Sequence, residues 1–405
     1  MSLVLNTNIA SLQAQNNLNK SSSALNTATE DLSSGLKINS SADNAAGFAI
    51  ATRFQTQIGG LSQASQNASD AINLAQTAGS ALTQVTSNLQ SIRDLAVQAA
   101  NGTYQSSDRA AINTSVQQYL SEITRIANQT SFNGTNVLNG SSSSLSFQIG
   151  ANVGQTINVS LGQGVTTSQI GQISEVSTGN LSGDFVDASG NATTLDLSTI
   201  TLTGAGGATV TLSGSATDAQ DVADAINATG LSGVSAAVNA SGGINIYSAG
   251  SISVSGGAAA ATSVAGSGGT LTSSATYSGV TGTSTTTSTG TYTAGETVGA
   301  GGSLQGGDVL TVDDANALIS RVDAALTAVS TFSSNLGAVQ NRFQSTIATL
   351  GAQQTNLTAS QSSIQDTDFA SETANLSQSQ VLQQAGISVL ATANSEPQNI
   401  LKLLQ

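Results

Sequence analysis

The sequence predicts a mainly α-helical protein with an inserted β-rich segment, in which helices from both chain ends form one long coiled-coil bundle. Three observations predict this fold class. Apolar residues recur at alternating steps of three and four near both ends, no basic residue occurs between positions 179 and 307, and that middle is rich in Gly, Ser and Thr. A chain of 405 residues is also too long for one ordinary core, so several domains are expected.

The longest apolar repeat predicts a coiled-coil helix in the N-terminal region. Its steps fill both core positions of successive heptads, which is typical of a helix–helix seam. About 40 residues at about 1.5 Å each would give a rod about 60 Å long. Alanine at many positions lets neighbouring helices approach closely. The repeat consists of Leu61, Ala64, Ala68, Ala71, Ala75, Ala78, Leu82, Val85, Leu89, Ile92, Ala96 and Ala99.

Turn and capping residues separate this helix from two others. Asn101-Gly102 ends it, Ser106 to Asp108 offers caps for the next helix, and Asn133-Gly134 ends that one. An earlier helix carries apolar residues that include a seven-residue repeat. These are Ile9, Leu12, Leu18, Leu25 and Leu32.

The C-terminal region repeats the helical pattern. Steps of three and four run from Ala315 to Phe343, and an amphipathic stretch continues from Phe369 into an apolar tail that ends at Leu404. Two chain ends that both carry heptads pack most simply against each other. The middle segment is then an insertion whose entry and exit lie close together.

The middle and its flanks carry strand patterns. Residues 145–149 and 157–161 alternate apolar and polar side chains around a Gly-rich turn, which predicts a β-hairpin. Thr217-Asp218 offers a cap for a short helix, and alternating runs at 234–238, 244–247 and 252–254 predict strands. Residues 255–302 are mostly Ser, Thr, Gly and Ala, so we expect an exposed, β-rich segment.

The composition argues against most enzyme, nucleic-acid and membrane functions. The chain has no histidine or cysteine, so common proton shuttles, thiol nucleophiles and transition-metal ligands are missing, and we expect no cofactor and no enzymatic activity. The net charge of −14 disfavours nucleic acid as a partner. No apolar run spans a membrane, and the first residues show no cleaved secretion signal.

Several motifs at the two ends of the chain carry a resemblance to a known family. They are LSSGLKIN and ADNAAGFAI within residues 32–50, LQSIRDLAVQ at 89–98, TSFNG at 130–134, QQAG at 383–386, ATAN at 391–394 and PQNIL at 397–401. Together they resemble the bacterial flagellins, in the same order, across residues 1–178 and 308–405. Residues 221–248 are similar to a small repeat found in some flagellin and hook-protein insertions.

The resemblance implies a division into three domains. Residues 1–44 with 362–405 would form a terminal coiled coil that lines the inner tube of a filament. Residues 45–178 with 308–361 would form a helical bundle with the β-hairpin, in the outer tube. Residues 179–307 would be a variable, surface-exposed insertion with room for two subdomains. In such proteins the terminal segments fold on assembly, and the hairpin at 149–154 is a candidate supercoil switch.

The resemblance also implies a function and partners. The chain would be a self-assembling filament subunit used in swimming, exported without a cleaved signal through the flagellar type III route and located outside the cell. Its partners would be other copies of itself, the export apparatus with a chaperone, the filament cap and the hook-associated proteins. The residues expected to carry assembly are Ile9, Leu12, Leu18, Leu25, Leu32, Leu36, Leu376, Leu382, Val389, Ile400, Leu401 and Leu404.

Some flagellins are recognised by the innate immune receptor Toll-like receptor 5 through the helix face at residues 89–98. The resemblance assigns this face to Leu89, Arg93, Leu95 and Gln98. Ser91 stands where well-recognised members carry Arg, and Ser115 replaces an acidic residue on the neighbouring helix. We therefore predict weakened recognition.

Alternative interpretations remain for the function and for single features. The heptads could be the internal core of a monomeric bundle, the chain could be a hook–filament junction protein, or the insertion could add a glycan-binding or adhesive role. Residues 262–293 offer hydroxyls for O-glycans or for plain solvation. Asp313-Asp314, Asp366 and Asp368 precede or flank predicted helix starts, where capping is the expected role rather than metal binding.

Overall fold

The computed structural model confirms the predicted fold class, with helices from both chain ends packed together and small antiparallel sheets between them. It describes residues 8–178, 181–185, 192, 194–204, 207–255, 275–281, 287–292, 297–299 and 302–403. The helices are α1 (Ile9–Ser34), α2 (Ala45–Ala100), α3 (Ser106–Gln129), α4 (Ala219–Ala228), α5 (Val312–Gln365) and α6 (Phe369–Leu403).

The strands lie between α3 and α5. They are β1 (Ser131–Phe132), β2 (Thr135–Asn136), β3 (Ser144–Gln148), β4 (Thr156–Ser160), β5 (Ser174–Ser177), β6 (Leu195–Asp196), β7 (Thr201–Thr203), β8 (Thr209–Thr211), β9 (Ser215–Ala216), β10 (Val234–Val238), β11 (Ile244–Ser248), β12 (Ile252–Ser255), β13 (Ala275–Thr281), β14 (Thr287–Tyr292) and β15 (Thr297–Gly299). The predicted hairpin is β3–β4, and the three predicted strand runs are β10, β11 and β12.

Residue contacts divide the chain into two compact units. The first contains residues 1–68, 148–156 and 345–405, and the second contains residues 69–147 and 157–344. The predicted three-domain division at 44, 178, 307 and 361 places its boundaries elsewhere and stays a prediction.

The first unit is built from helices and the tip of the β3–β4 hairpin. In it, α1 packs on α6, and Leu61 and Ala64 of α2 form a core with Leu350 of α5. The hairpin tip lies against α2, since Asn67 Nδ2 donates to the Gln148 carbonyl at 2.9 Å. Gly60 permits this approach, because a Cβ there would lie 2.9 Å from the Ala151 side chain.

The coiled-coil repeat of α2 forms a buried seam. All twelve predicted positions from Leu61 to Ala99 are buried, none more than 6% exposed. On α5, eight of the nine predicted positions from Ala315 to Phe343 are buried, and Val339 is half-buried. Within the second unit, Arg93 of α2 also forms a forked ion pair with Asp323 of α5, with Nε 2.6 Å from Oδ1.

The main sheet of the insertion is antiparallel and lies in the second unit, and β6 and β9 form a separate two-stranded sheet. The strand order of the main sheet is β10-β11-β5-β13-β15-β12-β7-β8, and β14 pairs with β13. One side of this sheet packs on α4 around Val222, Ile226, Ile244 and Ile246. Strand β5 precedes residue 179, so the sheet begins before the predicted start of the insertion. Most of the Ser/Thr-rich stretch at 262–293 lies outside the described residues, apart from strands β13 and β14.

Helix starts follow capping rules, with some corrections to the predicted residues. Asp218 caps α4 as predicted, accepting from the Asp221 amide at 2.9 Å, and Asp368 accepts from the Ala370 amide at the start of α6. Helix α3 is capped by Gln105 rather than by Ser106, because Asp108 reaches back to the Gln105 amide. At the start of α5, the Asp314 carboxylate likewise accepts from the Thr311 amide.

Two of the aspartates expected to cap helices do something else. The Asp313 carboxylate accepts from the Ala240 amide of the insertion, and the Asp366 carboxylate accepts from the Ser362 hydroxyl within α5. No helix among the described residues is long and apolar enough to cross a membrane.

The turn between α2 and α3 is held by a buried arginine. Arg109 is 9% exposed and donates to the carbonyls of Ala99, Asn101 and Tyr104 at 2.8–2.9 Å. The Ala99 and Asn101 carbonyls lie at the C-terminal end of α2, where free acceptors and the helix dipole favour a cation, and the Tyr104 carbonyl lies in the turn that follows. Arg109 therefore acts as a C-terminal cap supplied from the next helix.

We predict that Ala75→Leu destabilises the second unit. Ala75 is fully buried in the α2 seam, so three extra carbon atoms force neighbouring side chains apart at a cost of about 1–3 kcal/mol. Thermal unfolding followed by circular dichroism measures the change. The adjacent, exposed Gln76→Leu is the control and should change stability by less than about 0.5 kcal/mol. Equal stability of the two variants would contradict a tightly packed seam.

We also predict that Arg109→Leu lowers the free energy of unfolding by about 2–3 kcal/mol, because buried carbonyls lose their charged donor. Arg109→Lys should recover part of the loss, since it keeps the charge but not the planar fork. Urea denaturation measures both. Arg125→Leu removes an exposed pair with Glu122 and serves as the control, with an expected loss below about 1 kcal/mol. A similar loss in both Leu variants would argue against the cap.

Candidate assembly surface

Helices α1 and α6 pair through a seam of small and polar residues. The buried positions are Ala14, Ser21 and Ala28 on α1 and Ser379 and Ala393 on α6. Ser21 Oγ donates to the Ser379 carbonyl at 2.9 Å, and Asn8 Nδ2 donates to the Ala393 carbonyl at 2.8 Å. As the α1 positions advance, their partners on α6 recede, so the two helices run antiparallel.

Small side chains set the spacing of this pair. A Cβ at Gly386 would lie 3.3 Å from the Leu18 side chain, tighter than an ordinary contact. A seam of alanine, serine and glycine buries little apolar area per turn. The α1–α6 pair is therefore close-packed but gains little of the hydrophobic stabilisation that a leucine seam would supply.

The predicted assembly residues separate into two groups in this pair. One group is half-buried and occupies positions at or beside the α1–α6 seam. Its members are Leu18, Leu25, Leu32, Leu36 and Leu376. These side chains are partly used within the chain, so they are less available for another copy than the sequence suggested.

The other group is exposed to solvent. Ile9, Leu12, Leu382 and Val389 are each more than half exposed, between 52% and 64%. The structure adds Val381, Ile387 and Phe369, which are 65%, 55% and 58% exposed. Val381 and Ile387 were not predicted because they lie off the heptad positions, and both are exposed in the described part of the chain. The side chains of Ile400 and Leu401, and the whole of Leu404, lie outside the described residues.

These helices carry few charges to keep their surfaces solvated. Between Phe369 and residue 395 the only charged residue is Glu372, and α1 carries only Lys20, Glu30 and Asp31. A solvent-facing helix normally confines apolar residues to one stripe, and a helix with apolar residues on several sides is typical of a buried one. The α1–α6 pair thus has the composition of a helix pair that another molecule covers.

Several acidic residues lie together where α1 ends and α6 begins. Partial burial raises the pKa of Asp31, and the negative charges of Glu372, Asp43 and Glu30 raise it further, while Lys37 lowers it. The carboxylates therefore repel one another at neutral pH, and Lys37 offsets part of this repulsion.

The predicted receptor face is only partly at the surface. Leu89, which the resemblance assigns to this face, is fully buried and occupies a core position of the α2 heptads. Arg93 is engaged by Asp323, Leu95 is half-buried, and Gln98 is exposed and donates to the Tyr104 hydroxyl at 3.0 Å. Ser91 and Ser115 are both half-buried. The face at the surface therefore consists of Arg93, Leu95 and Gln98.

Comparisons with known proteins match both ends of the chain to one family. The family model described as the bacterial flagellin N-terminal helical region matches residues 5–143, and the model of the C-terminal helical region matches residues 319–404. A flagellin of Salmonella typhimurium is 38% identical over an alignment of 496 residues that covers all of both chains. The B-type flagellin of Pseudomonas aeruginosa is 38% identical over 494 residues, again covering all of both chains.

A solved structure has also been compared. FliC from Burkholderia pseudomallei is 26% identical to this chain, with a TM-score of 0.39, and the match covers 67% of this chain and 99% of that one. The full-length sequence identity and the two family models establish the relationship: the chain belongs to the bacterial flagellin family.

Proposed function

We propose that this chain is the structural subunit of a bacterial flagellar filament and that it assembles through the exposed apolar residues of α1 and α6. The observation that carries the proposal is the large exposure of Ile9, Leu12, Val381, Leu382 and Val389 on helices with almost no charge. Such residues gain little from burial within the described part of the chain. Because the family consists of filament proteins, a second copy of the same chain is the expected partner.

Assembly of this kind needs two different surfaces on each subunit. When one patch binds a different patch on the next copy, and the rotation between copies does not close, the product is a helical polymer rather than a ring. Covering a side chain that is about half exposed contributes about 1 kcal/mol. Several such side chains on each copy are needed to offset the lost freedom of association.

The proposal includes where the subunit acts and what it meets. The filament lies outside the cell, and the chain reaches it through the flagellar type III route without a cleaved signal. An export chaperone, the filament cap and the hook-associated proteins are the expected partners on this route. The exposed apolar helices support a chaperone, since such a surface has to be shielded before export. The role is structural, without catalysis.

Seeded assembly tests the proposal at one residue. We predict that Val389→Asp abolishes growth from short sonicated seeds, because a carboxylate would be buried without a partner in the polymer. Light scattering and electron microscopy measure growth, and circular dichroism of the monomer should be unchanged, since Val389 is 57% exposed in the free chain. Val389→Ala should assemble more weakly than the unchanged chain.

Two control variants distinguish the effect of the assembly surface from the effect of the added charge. Ser213→Asp adds the same charge at an exposed position in the insertion and should assemble normally. A version without residues 1–44 and 362–405 should not assemble at all. If Val389→Asp grew filaments as well as the unchanged chain, α6 would not be the assembly surface. If the unchanged chain stopped at short rings, a hook–filament junction role would replace the filament role.

We also predict that Toll-like receptor 5 responds weakly to this chain. Ser91→Arg combined with Ser115→Glu should raise the potency in a cell reporter about tenfold or more, because each substitution adds a charge-assisted contact. Thr83→Arg, about two turns earlier on α2 and exposed, is the control and should leave the potency unchanged. A reporter that responds to the unmodified chain as strongly as to a well-recognised flagellin would contradict the prediction.

A further inference from the structure

The sheet of the insertion is seated directly on α5, within the second unit. Ile173, just before β5, and Tyr247 of β11 form a buried cluster with Ala317 of α5, and Ala237 and Ala324 pack against it. All five residues of β11 are buried, because α4 covers one side of the sheet and α5 the other. One face of the sheet thus holds the insertion against α5, in addition to its two connections to the helices.

Hydrogen bonds accompany this apolar contact. The hydroxyls of Ser235 and Ser320 lie 3.1 Å apart. The amide of Ala240 donates to the Asp313 carboxylate at 3.0 Å, and the Tyr247 hydroxyl donates to the Asp313 carbonyl at 3.5 Å. These bonds fix the register of the β10–β11 hairpin on the first turns of α5.

A half-buried ion pair lies at the edge of the same contact. Glu175 of β5 and Arg321 of α5 approach to 4.0 Å, and their side chains are only 20% and 18% exposed. Within the described residues, Arg321 Nη1 donates to the Ser303 carbonyl at 3.3 Å, while the buried Nε atom has no hydrogen-bond partner. A half-buried pair at this distance gains little Coulomb energy to offset the hydration that its charges lose.

The charges around Glu175 are mostly negative. The negative charges of Asp314 and Asp313 on α5 act on Glu175, and the charge of Asp314 acts on Asp308. Arg321 is the cation within ion-pair distance of Glu175. Tyr247, the cross-strand partner of Glu175 on β11, stays a neutral donor because burial raises the pKa of its hydroxyl.

We infer that the contact between the insertion and α5 is stronger at acid pH, because protonation of Glu175 strengthens the docking of the β10–β11–β5 face on the helix. A neutral Glu175 loses no charge hydration on burial and no longer repels Asp313 and Asp314.

The direction of the effect follows from the protonation of Glu175. Burial raises its pKa, and repulsion by Asp314 and Asp313 adds to this, while attraction to Arg321 opposes it. Because the docked-state pKa lies above that of a free glutamate, the added stability is present at acid pH. It is lost as the pH rises through the raised value. Burial and the Asp314 carboxylate also raise the pKa of Asp308, which acts in the same direction.

Hydrogen exchange of the β10–β11 amides in the full chain tests this inference. Each variant is compared with the unchanged chain at the same pH, so that the intrinsic pH dependence of exchange cancels. At pH 7.5 we expect Glu175→Gln to slow exchange of these amides about three- to tenfold, since one pKa unit corresponds to a factor of about ten. At pH 5 the two proteins should differ less than about twofold.

Two further variants keep the test decisive. Asp224→Asn removes an exposed carboxylate from α4 of the same insertion and should match the unchanged chain at both pH values. Arg321→Gln removes the cation, so exchange should quicken at pH 7.5 and recover at pH 5. If Glu175→Gln quickened exchange at pH 7.5, the ion pair would be stabilising and the inference would be overturned. Equal exchange in all variants would overturn it as well.

Discussion

Close approach along α2 is the constraint on which the rest of the structure depends. The fully buried positions Ala68, Ala71, Ala75 and Ala78 form the middle of the seam, and larger residues such as Leu82 and Leu89 follow them. Alanine contributes little transfer free energy, so the stability of this stretch comes from close packing rather than from bulk. A seam of this kind tolerates neither a larger side chain nor a shift of register. Position by position, it fixes which partner each residue of α2 meets.

The terminal helices α1 and α6 also pack closely through small side chains, but with a different consequence. The buried positions on α1 are the small residues Ala14, Ser21 and Ala28, whereas the leucines of α1 are half-buried or exposed. In an ordinary bundle Leu382 and Val389 would face the partner helix and serine would face water. The inverted arrangement leaves the pair weak by itself and able to gain stability when another molecule covers it. This inversion connects the sequence to a polymer more directly than any single motif does.

Much of the fold could be predicted because the patterns that specify it are local and regular. The heptads gave the buried positions of α2, the Gly-rich turn gave the β3–β4 hairpin, and Asp218 gave the start of α4. Predicting the environment of a residue is harder where that residue belongs to two patterns. Leu89 belongs to a family motif and also to the heptad repeat, and its heptad position decides that it is buried.

Features that depend on distant residues could not be predicted from periodicity. Arg109 looks like any surface arginine in the sequence, and its role arises because the turn at residues 101–105 brings the last carbonyls of α2 within reach of its guanidinium. Strand β5 is another such case, because only its pairing with β11 shows that the sheet begins before residue 179. Val381 and Ile387 are a third: what matters about them is the absence of a partner within the described chain, which only the packed helices reveal.

Two kinds of contact therefore coexist in one chain, and their chemistry differs. The exposed apolar residues of α1 and α6 carry no charge, so the contacts that they make depend on burial and are little affected by pH or salt. The contact of the insertion with α5 combines an apolar cluster with the Glu175–Arg321 ion pair, so we propose that its strength depends on protonation. A filament that has to persist in changing surroundings gains from assembling through apolar side chains that do not titrate. The acidic residues that keep its surface soluble are then concentrated in the insertion and its root, where a change of pH alters a local contact without weakening the polymer.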